Sequence, residues 1–235
     1  MTSALVLGGR TSDDLVGRDV TLVVPVGAVE QHGPHLPLDT DCRIATCVAS
    51  RAVDTATCDA LLAPTVSYGS SGEHEGFAGT VSIGAAVTEQ LLVEYGRSAC
   101  RWASRLVFVN GHGGNAFALA AAVRLLRYEG RDVAWWPCAF PGADAHAGDT
   151  ETSILLAIAP DAVRLDRAEA GATAPVAELM DAMRAGGVAA VSPNGVLGDP
   201  TSADADRGAA LVDGRVAALT ASLGAWRVDD DGRLR

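Results

Sequence analysis

Along the first two-thirds of the chain, short continuous apolar runs alternate with segments whose apolar residues recur every three or four positions, the two patterns that separate buried strands from helices. Thr21 to Gly27 (TLVVPVG), Leu61 to Val66, Arg105 to Val109 (RLVFV) and Asp132 to Trp136 are of strand length and read as strands buried on both faces. Pro25 removes a ladder donor, which places the first of them near a sheet edge or at a local irregularity. Asp41 to Thr55, Ala86 to Trp102 and Ala116 to Glu129 carry helical spacing, and Thr150 opens another helix that stops at Pro160. This alternation predicts an α/β fold with a mostly parallel sheet covered on both faces. Past Pro160 the pattern changes. Ala174 to Arg184 and Asp204 to Leu223 read as helices on either side of a turn-rich segment, Gly186 to Pro200 (GGVAAVSPNGVLGDP), and Asp229 to Arg235 reads as a frayed tail. No repeat or linker divides the chain, so one domain over residues 1–235 is expected.

Composition narrows the function. The formal charge of −11 argues against nucleic acid and anionic membranes as partners. All 18 basic residues are arginine, which excludes Schiff-base lysines and a P-loop lysine. No run approaches the roughly 20 apolar residues of a spanning helix, and a soluble, cytoplasmic protein is expected. Five cysteines without a CxxC spacing read as small apolar filler.

The candidate chemistry begins directly after the first strand, in EQHGPHLPLDTD (Glu30 to Asp41). Glu30 and His32 stand two apart and share a face of an extended chain. Pro34 and Pro37 keep the following backbone out of a helix and carry Asp39 and Asp41 back toward that face. Carboxylates with an imidazole suit a divalent cation such as Zn, Mn or Fe. Ser67 to Thr80 holds four glycines around Glu73, His74, Glu75 and Phe77, as a substrate-facing loop would. NGHGGN (Asn110 to Asn115) follows the third strand. It lacks a dinucleotide fingerprint, and His112 reads better as a ligand, with Asn110 or Asn115 bracing the turn. In DAHAGDTETS, Glu151 fits a first-turn dipole role as well as a ligand role, and the nearby His146 favours the ligand. All five histidines, His32, His35, His74, His112 and His146, fall at strand ends or before helices. Ligands bind parallel sheets at the carboxyl ends of strands, so the five are expected to converge on one crevice.

These four motifs, in this order, resemble the creatininase family of metal-dependent amidohydrolases. Downstream segments, among them GGVAAVSPNGVLGDP, extend the likeness to the branch of creatininase-like peptidases of mycofactocin biosynthesis. The resemblance implies a three-layer α/β/α sandwich holding two divalent metals (Zn, Fe(II) or Mn) bridged by one aspartate. Carried over, Glu30, Asp41 and His112 hold one metal, and His32, Asp41 and Glu151 the other. His146 corresponds to the catalytic histidine, and Glu151 counts with it as catalytic. Creatininase has a glutamate where this chain has Gly114, and Glu151 is expected to supply the missing carboxylate. Glu73, His74, Glu75 and Asn115 are the expected substrate contacts, and a homo-oligomer is implied.

The implied reaction is hydrolysis, by a metal-activated water, of a peptide bond near the C-terminus of a modified precursor peptide, releasing Val-Tyr. The substrate carboxylate then needs a local arginine or backbone N–H groups, and the glycine-rich Gly186 to Pro200 segment is one source. A small-molecule amidohydrolase acting on a cyclic amide or formamide would use the same ligands. A non-catalytic metal-binding protein leaves the spare histidine without a task. A cysteine or serine hydrolase fails, because no cysteine adjoins a histidine in the motifs and Ser70 and Ser71 lack a GxSxG context.

Overall fold

The computed structural model describes residues 5–235. Four strands, β1 (Thr21–Val26), β2 (Ala60–Leu62), β3 (Arg105–Asn110) and β4 (Val133–Pro137), pair in parallel in the order β2-β1-β3-β4. Side chains alternate across the pleat, so each strand feeds two cores. Leu22, Val24, Val26, Leu106 and Phe108 pack on one side with α2 (Ala85–Ala99) and α3 (Ala116–Tyr128). Val23, Val107, Val109 and Trp136 pack on the other with α1 (Thr40–Thr55), α4 (Asp149–Ile158) and α6 (Ala205–Ala225). The result is the expected three-layer α/β/α sandwich. A further helix, α5 (Val176–Gly186), buries none of its residues fully and lies outside both cores. No helix among the described residues is long and apolar enough to cross a membrane.

Three expectations change. Strand β1 is central, with β2 and β3 on either side, so Pro25 does not mark an edge. In a parallel ladder a residue's N–H and C=O face the same neighbour, and the Pro25 carbonyl faces Val66 N at 2.9 Å. On that side β2 has already ended at Leu62, so the missing N–H interrupts no ladder. The predicted Leu61–Val66 strand is cut short at Leu62, two residues before Pro64, and rejoins β1 only through an isolated bridge at Val66.

The tail is not frayed. Strand β4 is an edge whose free backbone groups need partners, and the last residues supply them. Trp135 N donates to Gly232 O and Leu234 N to Trp135 O, both at 2.9 Å. Leu234 is buried in the core, and the Arg233 guanidinium lies 4.7 Å from the centre of the Trp135 ring. Truncating Leu234 to alanine should therefore cost about 2–4 kcal/mol. A loss under about 0.5 kcal/mol in chemical denaturation would mean that the tail contributes little to the core.

Candidate metal centre

Because the strands are parallel, their carboxyl ends lie along one edge of the sheet, and the loop after each delivers one histidine there. His32 follows β1, His74 follows β2, His112 follows β3 and His146 follows β4. All four are buried, as are Glu30 and Asp41. Two helix N-termini complete the cluster, with Asp41 in the first turn of α1 and Glu151 in the first turn of α4, where the helix dipole favours a carboxylate.

Asp41 stands between two imidazoles, its Oδ1 3.1 Å from His32 Nε2 and its Oδ2 3.3 Å from His112 Nδ1. His112 Nδ1 also lies 3.2 Å from Glu30 Oε2, while Glu30 Oε1 faces His74 Nε2 at 3.3 Å and His146 Nδ1 at 3.8 Å. Glu151 Oε2 lies 3.9 Å from His32 Nε2 and accepts a 2.6 Å hydrogen bond from Ala147 N. Both Glu30 oxygens and Asp41 Oδ2 are buried without a well-aligned hydrogen-bond partner among the described residues. Buried unpaired carboxylate oxygens are costly unless a cation meets them. Glu30, His32 and Asp41, or Glu30, His74 and His146, or His32, His146 and Glu151 each bring three ligand atoms within 4.8 Å of one another. This nitrogen and oxygen set fits a divalent metal.

The protonation pattern expresses the same demand for positive charge. Burial and the neighbouring Asp41 push the Glu30 carboxyl up to about 7. Burial works against the charged forms of His32 and His112, yet the surrounding carboxylates outweigh it, so His32 rises to about 10 and His112 well above the imidazole range. Asp41 is held below the carboxylate range although burial opposes this, because His32 and His112 face it. Burial lowers His74 to about 4 and, with the adjacent His32, carries His146 well below its usual value. Burial also raises Glu151.

Gln31, which lies outside the expected set, orients two of these rings. Its Oε1 accepts from Gly33 N at 2.9 Å, which turns its amide nitrogen toward His74 Nδ1 at 2.8 Å and Gly195 O at 3.0 Å. The Gln31 carbonyl accepts from His146 Nε2 at 2.8 Å. A carbonyl only accepts, so this bond requires the His146 tautomer with its proton on Nε2, which turns Nδ1 to the cluster; the Gln31 amide nitrogen, 3.0 Å from the same Nε2, then spends its two hydrogens on His74 and Gly195. The Gly186–Pro200 segment pins it from behind, through Leu197 N donating to His146 O at 2.8 Å. No sequence motif announces Gln31, because its role exists only once Gly33, His74 and His146 meet.

The other expected residues part company. His35 is buried but bonds Thr152 Oγ1 at 2.8 Å and stays outside the cluster, so four of the five histidines converge. Glu73 is half-buried, 3.4 Å from His112 Nε2. Glu75 is exposed and outside the cavity. Asn115 is fully buried, and its amide donates to Gly27 O at 3.0 Å while its Oδ1 accepts from Ser70 N at 2.8 Å, so it braces backbone and does not reach the cavity. Gly114 has no room for a side chain: a Cβ there would stand 2.3 Å from Ser70 O, 2.4 Å from His112 Nε2 and 2.7 Å from Glu73 Oε1. The five cysteines are free and absent from the cluster, and burial raises the Cys42 thiol to about 11 and the Cys138 thiol to about 12.

The cluster forms the floor of a cavity of about 520 Å³. Asp41, Glu73, His74, His112, His146 and Glu151 line its polar part, and α5 and the segment after it form an apolar wall.

Comparison with known proteins agrees with this geometry. The creatininase (creatinine amidohydrolase) family model matches residues 10–223. A mycofactocin precursor peptide peptidase of Mycolicibacterium smegmatis is 59% identical over 232 residues, 97% of this chain and 94% of that protein. A solved manganese creatininase superposes with a TM-score of 0.80 at 27% identity, covering 93% of this chain and 97% of the other. A mutant creatininase in a Zn–Zn form gives 0.78 at 26%, covering 93% and 96%. A buried carboxylate–imidazole cluster at the carboxyl edge of this sheet, the family match and the near full-length identity lead to one conclusion: the chain belongs to the creatininase family and is a metal-dependent hydrolase of amide bonds.

Proposed function

We propose that the chain releases a C-terminal Val-Tyr dipeptide from the modified mycofactocin precursor peptide. The observation that carries this reading is the 59% identity, over nearly the whole of both chains, with the Mycolicibacterium smegmatis peptidase. The broad apolar wall facing the cluster supports it, since peptide side chains need such a surface and creatinine does not.

The proposed ligands are Glu30, Asp41 and His112 for one divalent ion and His32, Asp41 and Glu151 for a second, with Zn, Fe(II) or Mn selected by availability. Support comes from the two Asp41 oxygens, which face His32 and His112 separately. Bound there, the ions supply Lewis-acid polarisation of the scissile carbonyl and a water of lowered pKa. His146 carries the proton to the leaving amine. Its Nε2–H is held by the Gln31 carbonyl, so Nδ1 faces the cleft, and burial keeps the ring neutral and able to accept a proton. His74 turns Nε2 toward Glu30 and steadies that carboxylate. Glu73 backs His112, the arrangement that raises the basicity of a ligating imidazole.

Wild-type protein prepared with metal supplied should hold about two equivalents per chain. Asp41→Ala should lose both metal and activity, whereas Asp39→Ala should keep them, because Asp39 is half-exposed and paired with Arg43 at 2.7 Å, away from the cluster. Elemental analysis that finds the metal-poor variant to be Asp39→Ala would refute the assignment.

His146→Ala should retain its metals and lose about a hundred- to ten-thousand-fold in kcat; loss of metal in that variant would make His146 a ligand. On substrates, a peptide ending in Val-Tyr should be cut and creatinine left intact. Turnover of creatinine at a comparable rate would move the chain to the small-molecule branch.

A further inference from the structure

Helix α5 has an unusual relation to the rest of the fold. Val176, Met180, Met183 and Arg184 stand at i, i+4, i+7 and i+8, one stripe of a helix. In a helix packed on a core such a stripe is buried by protein. Here no residue of α5 is fully buried, and these four line the same cavity as the metal cluster, together with Val188 and Leu197. The stripe is apolar for two turns and ends in a cation. The chain has no lysine, and among the described residues lining the cavity Arg184 is the one arginine, set against Asp41, Glu73 and Glu151.

We infer that α5 is the recognition helix for the substrate's C-terminus, with Arg184 binding the free carboxylate and Met180, Met183 and Val176 taking the side chains of the last two residues. The inference rests on the peptidase reading and adds to it the anchor that makes the cut fall near a chain end. Arginine presents a planar fork of donors matched to a carboxylate. The ion-pair partner of Arg184 is Asp181, at 3.7 Å and fully exposed, a loose surface contact that a substrate carboxylate can replace. The position near the end of α5 also suits a cation, since the helix dipole is negative there.

Lengths agree. Two extended residues span about 7 Å, and the stripe from Val176 to Arg184 rises about 12 Å, enough for a dipeptide to lie along it. Methionines give an adaptable apolar surface and make favourable contacts with aromatic rings, which suits a terminal tyrosine. The arginine end of the helix is fixed in place. Gly187 N donates to Met183 O at 2.8 Å, and Gly187 adopts a φ of 70°. A Cβ on Gly187 would stand 2.7 Å from Glu73 O, so the end of α5 abuts the loop that carries Glu73 and His74.

The test compares kcat/KM for a peptide ending in Val-Tyr as the free acid and as the C-terminal amide, in metal-loaded wild type, Arg184→Gln and Arg184→Lys, with metal content and melting temperature measured for each. Wild type should prefer the acid, and Arg184→Gln should cut that preference by about 10- to 100-fold, mostly through KM, as expected for loss of a charged hydrogen bond. Arg184→Lys should restore part of it. An Arg184→Gln enzyme that keeps its metals and the wild-type acid-to-amide ratio would overturn the inference. Wild type that cuts acid and amide equally would also overturn it while leaving the peptidase reading intact. Wild type that cuts neither would overturn both.

Discussion

The structure depends on holding two carboxylates, Glu30 and Asp41, almost wholly withdrawn from solvent. Both are buried, and three of their four oxygens lack an aligned hydrogen-bond partner. An arrangement of this kind is unfavourable for folding taken alone, because desolvating a charge costs several kcal/mol. The offsetting groups are concentrated around the two carboxylates: four imidazoles and the N-terminal dipole of α1. A divalent cation completes the balance, so the features that strain the metal-free fold are those that select for metal.

The scaffold delivers these groups because every strand of a parallel sheet ends on the same edge. The loop after each strand brings a histidine to within a few ångströms of the same carboxylates, although the four are spread from position 32 to position 146. Close approach of the loops then limits what each position can carry. Gly114 has no room for the glutamate that the family resemblance would put at this place, because Ser70 O, the His112 ring and the Glu73 carboxylate stand where a side chain would begin. The chain has placed a carboxylate behind His112 from a different loop, through Glu73, and a carboxylate in front of His32 from α4, through Glu151.

Outside the cluster, the second half of the chain determines access. The Gly186–Pro200 segment reaches the site twice, pinning His146 through Leu197 and receiving the Gln31 amide on Gly195. It also closes the cavity with Val188 and Leu197. The sheet thus places the chemical groups, and the segments C-terminal to α4 supply much of the cavity wall around them.

The sequence by itself determined the parallel α/β plan, the position of each motif at a strand end, and the carboxylate and imidazole types that meet there, because hydrophobic period and local residue chemistry are properties of short segments. Only the tertiary structure decided the rest. It placed Pro25 in a central strand, since the damage done by a missing N–H depends on whether a neighbour is there to receive it. It turned His35 away to Thr152 and docked the tail on β4, because both outcomes depend on partners more than ninety residues distant. It left Glu75 in solvent, and of the two roles the sequence allowed Asn115 it kept the brace and removed the substrate contact. The roles of Gln31 and of the α5 stripe were equally invisible, since a glutamine between two candidate ligands and an amphipathic helix look alike whether they serve a core or a site. Burial and direction are set by packing among distant segments, and no local pattern encodes them.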